Sequence, residues 1–158
     1  MSVFLGFAIA LVVVLFDQLS KYYMLNEVLG EQAVIEVTPF FNWVRAWNTG
    51  VSFSMFNDYG SAGAIMLSVV AGVIVIALIV WLKNERDRLA QAALGMVIGG
   101  AIGNVIDRVR LGAVFDFLDF HIADSHWPAF NLADSFICAG AVILIIQSIF
   151  IKKEEKQK

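Results

Sequence analysis

Polar and apolar positions along this chain are patterned on two different length scales. Four stretches, residues 3–24, 62–82, 90–109 and 129–151, are mostly apolar. Each is about twenty residues long, and at ~1.5 Å of rise per residue such a helix crosses the ~30 Å hydrocarbon core of a bilayer. The second carries no charge at all. The pattern predicts an all-α membrane protein with four transmembrane helices, as a single integral membrane domain over residues 1–158. The first run has no basic residue before it and passes directly into DQLSKYYM without an A-x-A exit, so it is expected to be a retained helix rather than a cleaved leader.

Between the first two helices, over residues 26–60, the period changes. AVIEV, FNWVRAW and VSFSM are short runs rich in β-branched and aromatic residues, broken at Thr38-Pro39 and at Asn48-Thr49-Gly50. They predict a small β-cradle on the outer face. Its aromatic side chains are expected to rest on lipid, to hold an extended peptide by strand addition, or simply to cap the interface. The later run AVFDFLDF fits neither period; it is expected only to fold back over the outer end of the third helix. That helix carries Gly95, Gly99 and Gly103 at four-residue spacing, with Asp107 continuing the row, which predicts close helix packing and a buried, supporting Asp107.

Charge sets the expected orientation. Lys83, Arg86 and Arg88 lie between helices two and three, and Lys152, Lys153, Lys156 and Lys158 follow helix four; together they are seven of the eleven Lys and Arg. Lys21, Arg45, Arg108 and Arg110 are spread over the other side. The positive-inside rule then puts both termini in the cytoplasm, and Trp43, Trp47, Trp81 and Trp127 all fall at expected interfaces. Composition agrees with the membrane class: 59% of residues are apolar and the mean hydropathy is +0.77. A net charge of −3 and a pI near 5.2 argue against nucleic acid, which asks for a basic face. Lipid and protein remain as partners. Cys138 is the single cysteine; without a partner it is read as a buried packing thiol.

Polar residues break into the apolar runs at one depth. Measured from the cytoplasmic edge at ~1.5 Å per residue, Asp17 and Asn104 lie near ~21 Å, Asp134 near ~25 Å and Arg108 near ~27 Å. An ionisable group in hydrocarbon costs at least ~2.5 kcal/mol, so such a gathering points to a site. Asp17 with Lys21, Asn104 with Arg108, and Asn131 with Asp134 each share a helix face by spacing. Asp17 and Lys21 read equally as a structural ion pair, Arg108 as a snorkelling side chain and Asn131 as a helix cap. Neither Asp116 nor Asp134 has a basic residue three or four positions away.

Two neighbouring carboxyl groups share a proton, one acting as base and the other as acid; with a water between them this is the aspartic-protease arrangement. Asn and Arg nearby then hold a peptide or stabilise developing charge. Asp134, near the positive end of helix four, is expected to carry the negative charge. Competing readings are a proton- or cation-coupled transporter, a zinc hydrolase built on Asp116, Asp119, His121, Asp124 and His126, a Ser135 nucleophile, and a non-enzymatic assembly subunit. The transporter lacks internal repeats, and the zinc reading leaves Asp134 without a role.

Five blocks, DQLSK, NTGVSFS, GGAIGNVIDR, VFDF and FNLADS, resemble in order the signature blocks of lipoprotein signal peptidase, also called signal peptidase II. NTG is followed by VSFS where the family commonly has AAFS. The resemblance implies a bacterial inner-membrane aspartic endopeptidase that cuts diacylglyceryl-modified prolipoproteins before the lipidated cysteine and is inhibited by the cyclic peptide globomycin. It carries the catalytic pair onto Asp116 and Asp134. Asn48 and Gly50 of the NTG block, Asn104, Arg108 and Asn131 correspond to residues lining the site. Asp17 and Lys21 correspond to a supporting pair, and Asp107 to a structural position. No cofactor or metal is implied.

Overall fold

Caps and glycines end the helices close to where hydropathy predicts. The computed structural model describes residues 3–50 and 60–155. Helix α1 (Phe4–Tyr23) runs on into a π-helical turn, Met24–Leu29, that stops at Gly30 with φ 52°, a left-handed conformation that costs glycine little. Strands β1 (Val34–Thr38) and β2 (Phe41–Asn48) follow, then α2 (Gly60–Asn84), α3 (Arg88–Leu111), β3 (Val114–Ile122), β4 (Ser125–His126) and α4 (Leu132–Glu155). The Asp87 carboxylate caps α3 by accepting from the Ala90 N–H at 2.8 Å, and Gly112, at φ 77°, closes its far end with a bond to the Arg108 carbonyl. Among the described residues, four helices are long and apolar enough to cross a membrane.

Helix α3 is the hub, packed on α1, α2 and α4. Its glycines make this possible. A Cβ on Gly99 would meet the Ala10 carbonyl of α1, one on Gly103 the Asp17 carboxylate, and one on Gly100 the Ala133 carbonyl of α4. The expected glycine row therefore faces α1. Helix α2 packs chiefly on α3 and leaves Ile65, Val69, Val73 and Ile76 exposed, as a lipid-facing surface permits. Cys138 corrects its sequence reading: it is exposed, because α4 meets α3 through Ala133 and Gly140, and the thiol is off that contact.

The sheet is antiparallel in the order β1-β2-β3-β4. Its first two strands match AVIEV and FNWVRAW; the VSFSM run lies outside the described residues. The cradle is larger than the first loop, because AVFDFLDF enters it as β3, paired along β2. Val114, Phe115, Asp116, Phe117 and Asp119 of β3 are all buried, so the strand shows no clean alternation. Phe115 and Phe117 pack with Met24 and Leu29 from the end of α1, which seats the sheet on the helices.

Candidate active site

The site begins with the start of α4. Phe130 is stitched to β3: its carbonyl accepts from the N–H groups of Phe117 and Leu118 at 3.1 and 2.9 Å, and its own N–H donates to the Leu118 carbonyl at 3.0 Å. That pairing sets the next residue, Asn131, against Asp116. Asn131 is also the N-cap of α4. Its Oδ1 accepts from the Asp134 N–H at 3.0 Å, while Asp134 Oδ2 accepts from the Asn131 N–H at 3.2 Å. This is a reciprocal capping box with Asp in the place usually held by Glu or Gln.

Asn131 does more than cap the helix. Its Nδ2 donates to Asp116 Oδ1 at 2.6 Å and to Asn104 Oδ1 at 3.1 Å. Asn104, from α3, in turn donates from Nδ2 to Asp134 Oδ1 at 2.7 Å. Asn48, at the end of β2, donates to Asp116 Oδ2 at 3.1 Å and accepts from the Gly50 N–H at 3.1 Å. Arg108 donates to the Gly50 carbonyl at 3.2 Å, so it ties α3 to the NTG turn rather than binding either acid directly. Asp116 and Asp134, eighteen positions apart in sequence, thus enter one network through a single asparagine.

A second polar layer lies beneath. Lys21 Nζ is 2.9 Å from Asp17 Oδ2, 2.8 Å from Asp107 Oδ2 and 3.1 Å from Asn104 Oδ1. Asp17 Oδ1 accepts from the Ala133 N–H at 3.0 Å in the first turn of α4, and Asp107 Oδ2 accepts from the Phe115 N–H at 3.2 Å. The expected ion pair is therefore a triad that joins α1, α3, α4 and β3. Sequence reasoning passed over Gln18, whose Nε2 reaches Asp107 Oδ1 at 2.9 Å, Asp17 Oδ2 at 3.2 Å and the Gly103 carbonyl at 3.3 Å. Its only signal was a neutral polar side chain in the apolar half of DQLSK.

The two acids differ in environment. Asp116 is 2% exposed. Burial, followed by the charge of Asp134, pushes its carboxyl up to about 7 against the hydrogen bonds from Asn48 and Asn131. Asp134 is half-buried and opens onto a cavity of about 470 Å³ walled by Trp127, Phe130, Ile137 and Cys138. One acid is thus dry and protonated near neutrality, and the other faces an apolar groove.

The other candidate groups go elsewhere. Asp119 is held by Asn42 at 3.0 Å and by His126 Nδ1 at 2.9 Å, and His121 turns to the Ala123 carbonyl. Among the described residues no three His, Cys, Asp or Glu are placed to hold a metal ion. The Ser135 hydroxyl donates to the Asn131 carbonyl at 3.0 Å, as a helix-start serine does.

The profile of the family Peptidase_A8, signal peptidase (SPase) II, matches residues 9–150. The lipoprotein signal peptidase of Polynucleobacter necessarius is 45% identical over 141 residues, 87% of this chain and 85% of that one. The lipoprotein signal peptidase of Nitrobacter hamburgensis is 42% identical over 149 residues, 90% of each. A bacterial membrane enzyme solved by the in meso method at 2.3 Å superposes with a TM-score of 0.82 at 31% identity, covering 97% of this chain and 92% of that one. These likenesses, over a fold of four helices long and apolar enough to cross a membrane and a small sheet, make the chain an aspartic peptidase of the signal peptidase II family.

Proposed function

We propose that this protein removes the signal peptide from diacylglyceryl-modified prolipoproteins, cutting before the lipidated cysteine with a water activated by Asp116 and Asp134. The substrate class follows the names of its relatives. The observation that carries the mechanism is that one residue, Asn131, bonds both acids: its side chain donates to Asp116 Oδ1 and its backbone N–H to Asp134 Oδ2. Asp134 takes a proton from the water as its oxygen attacks the peptide carbonyl carbon, and Asp116 gives its proton to the carbonyl oxygen. The resulting gem-diol collapses as Asp134 passes its proton to the leaving nitrogen and a diol hydroxyl returns a proton to Asp116, which breaks the C–N bond, frees the new amino terminus and restores both acids. Asn104 and Asn131 hold the acids, and Asn48, Gly50 and Arg108 form the wall where the peptide lies. Asp17, Lys21 and Asp107 support them from below.

The apolar groove beside Asp134 suits an apolar leader, and the site sits at the sheet end of the helices, where water reaches a scissile bond near the outer interface. Both termini are assigned to the cytoplasm of a bacterial inner membrane, and membrane lipid and globomycin-type cyclic peptides are the remaining partners. The test is turnover of a diacylated prolipoprotein by purified protein. Asp116→Asn and Asp134→Asn should each lose about a thousandfold or more in kcat/KM while keeping their helix content. Wild-type turnover by either variant would overturn the assignment.

A further inference from the structure

One of the supporting residues, a buried lysine, takes no proton in the hydrolysis just described. Lys21 is 5% exposed, and its ammonium has three donors and no acceptor. Two of its contacts, to Asp17 and Asp107, are ionic; the third is the side-chain carbonyl of Asn104. That third contact has a direction. A primary amide has one accepting and one donating end, and an ammonium tolerates only the accepting end. With Oδ1 held by Lys21, Nδ2 of Asn104 must point the other way, and there it meets Asp134 Oδ1 at 2.7 Å. The same Oδ1 accepts from Asn131 Nδ2, whose amide donates to Asp116 and presents its own carbonyl to the Asp134 N–H.

We propose that Lys21 is a positioning residue that sets the polarity of the hydrogen-bond chain at the acid pair, acting through Asn104, so that Asp134 always faces a donor and remains the proton acceptor. This rests on the peptidase reading above. Among the described residues, the charged groups around this chain are Asp17 and Lys21 of α1, Asp107 and Arg108 of α3, Asp116 of β3 and Asp134 of α4; β2 contributes the neutral Asn48. A flipped Asn104 would set its NH2 against the ammonium and its carbonyl oxygen against the Asp134 carboxylate. The cation forbids that flip.

The experiment is a double-mutant cycle in kcat on the full-length protein with a diacylated prolipoprotein, using Lys21→Met, Asn104→Ala and the pair. Lys21→Met alone should lower kcat about tenfold or more with little change in KM. In the Asn104→Ala background it should change kcat by less than about threefold. Multiplicative losses would overturn the proposal. The pH profile separates positioning from general loosening: without the cation Asp116 keeps its proton to higher pH, so the basic limb should move up. An unmoved limb also overturns it. If Lys21→Met denatures, the same readings are taken from Lys21→Met/Asp107→Asn against Asp107→Asn, where a counter-charge leaves with the cation. Asp116→Asn and Asp134→Asn run alongside. If either keeps wild-type turnover the assignment of the acid pair itself fails, whereas two inactive acid variants with a multiplicative cycle refute only the role of Lys21.

Discussion

At Asp116 the physics of a single residue sets a measurable profile. A carboxyl held near 7 by burial and by Asp134 donates its proton only while it has one, so cleavage should fall as pH rises through about 7. Stability follows the same sign. The folded state binds this proton more tightly than the unfolded chain does, so the contribution is complete below about 4 and is lost as pH rises to about 7. Thermal unfolding in detergent should show wild type losing stability from pH 5 to 8 relative to Asp116→Asn, which has nothing to titrate there; parallel curves would refute it. Asp116 and Asp134 were legible because neither has a local ionic partner, which in an apolar chain leaves a carboxylate to be explained. Gln18 and Asn42 were not, since a neutral amide costs little by itself and their partners lie far away in sequence.

Helix ends and helix contacts tie the site to its elements. Because Asn131 both caps α4 and holds Asp116, the two duties can be separated by substitution. Asn131→Ser keeps a capping oxygen and should unfold within a few degrees of wild type while losing about a hundredfold in kcat/KM. Asn131→Ala should lose the activity and, in addition, about 1 kcal/mol of stability. Equal unfolding temperatures for the two would show that the cap contributes nothing. Close packing behaves likewise: a Cβ on Gly103 would lie 2.5 Å from Asp17 Oδ2, whereas one on Gly72 meets nothing within 4 Å. Gly103→Ala is expected to cost about 1–3 kcal/mol and to displace the Asp17 cap on α4, and Gly72→Ala to cost nothing measurable by thermal unfolding.

For the whole molecule the testable quantity is orientation. On a Cys138→Ala background, a membrane-impermeant thiol reagent applied to intact cells should label Asp124→Cys in the β3–β4 turn and spare Arg86→Cys between α2 and α3, with the pattern reversed in inside-out vesicles. Labelling of Arg86→Cys from outside would invert the topology and move the site to the wrong face for the proposed substrate. The lopsided packing has a physical basis too. Helix α2 buries little against the rest of the protein and is held in place by hydrocarbon on its other sides.

By itself the sequence determined the four membrane crossings, the cap at Asn131, the first two strands and the identity of the polar residues. Each of these rests on local composition: a bilayer demands about twenty apolar residues per helix, and a capping residue acts on the next turn. Only the tertiary structure decided that AVFDFLDF is a strand, because its carboxylates are buried on a sheet whose partners are Ala46, Asn48 and Phe130. The same long-range pairing brings Asn131 to Asp116 and turns three separate polar pairs into two stacked layers. Those contacts span from fifteen to more than a hundred positions, and no local pattern encodes a bond whose two ends are held on different elements.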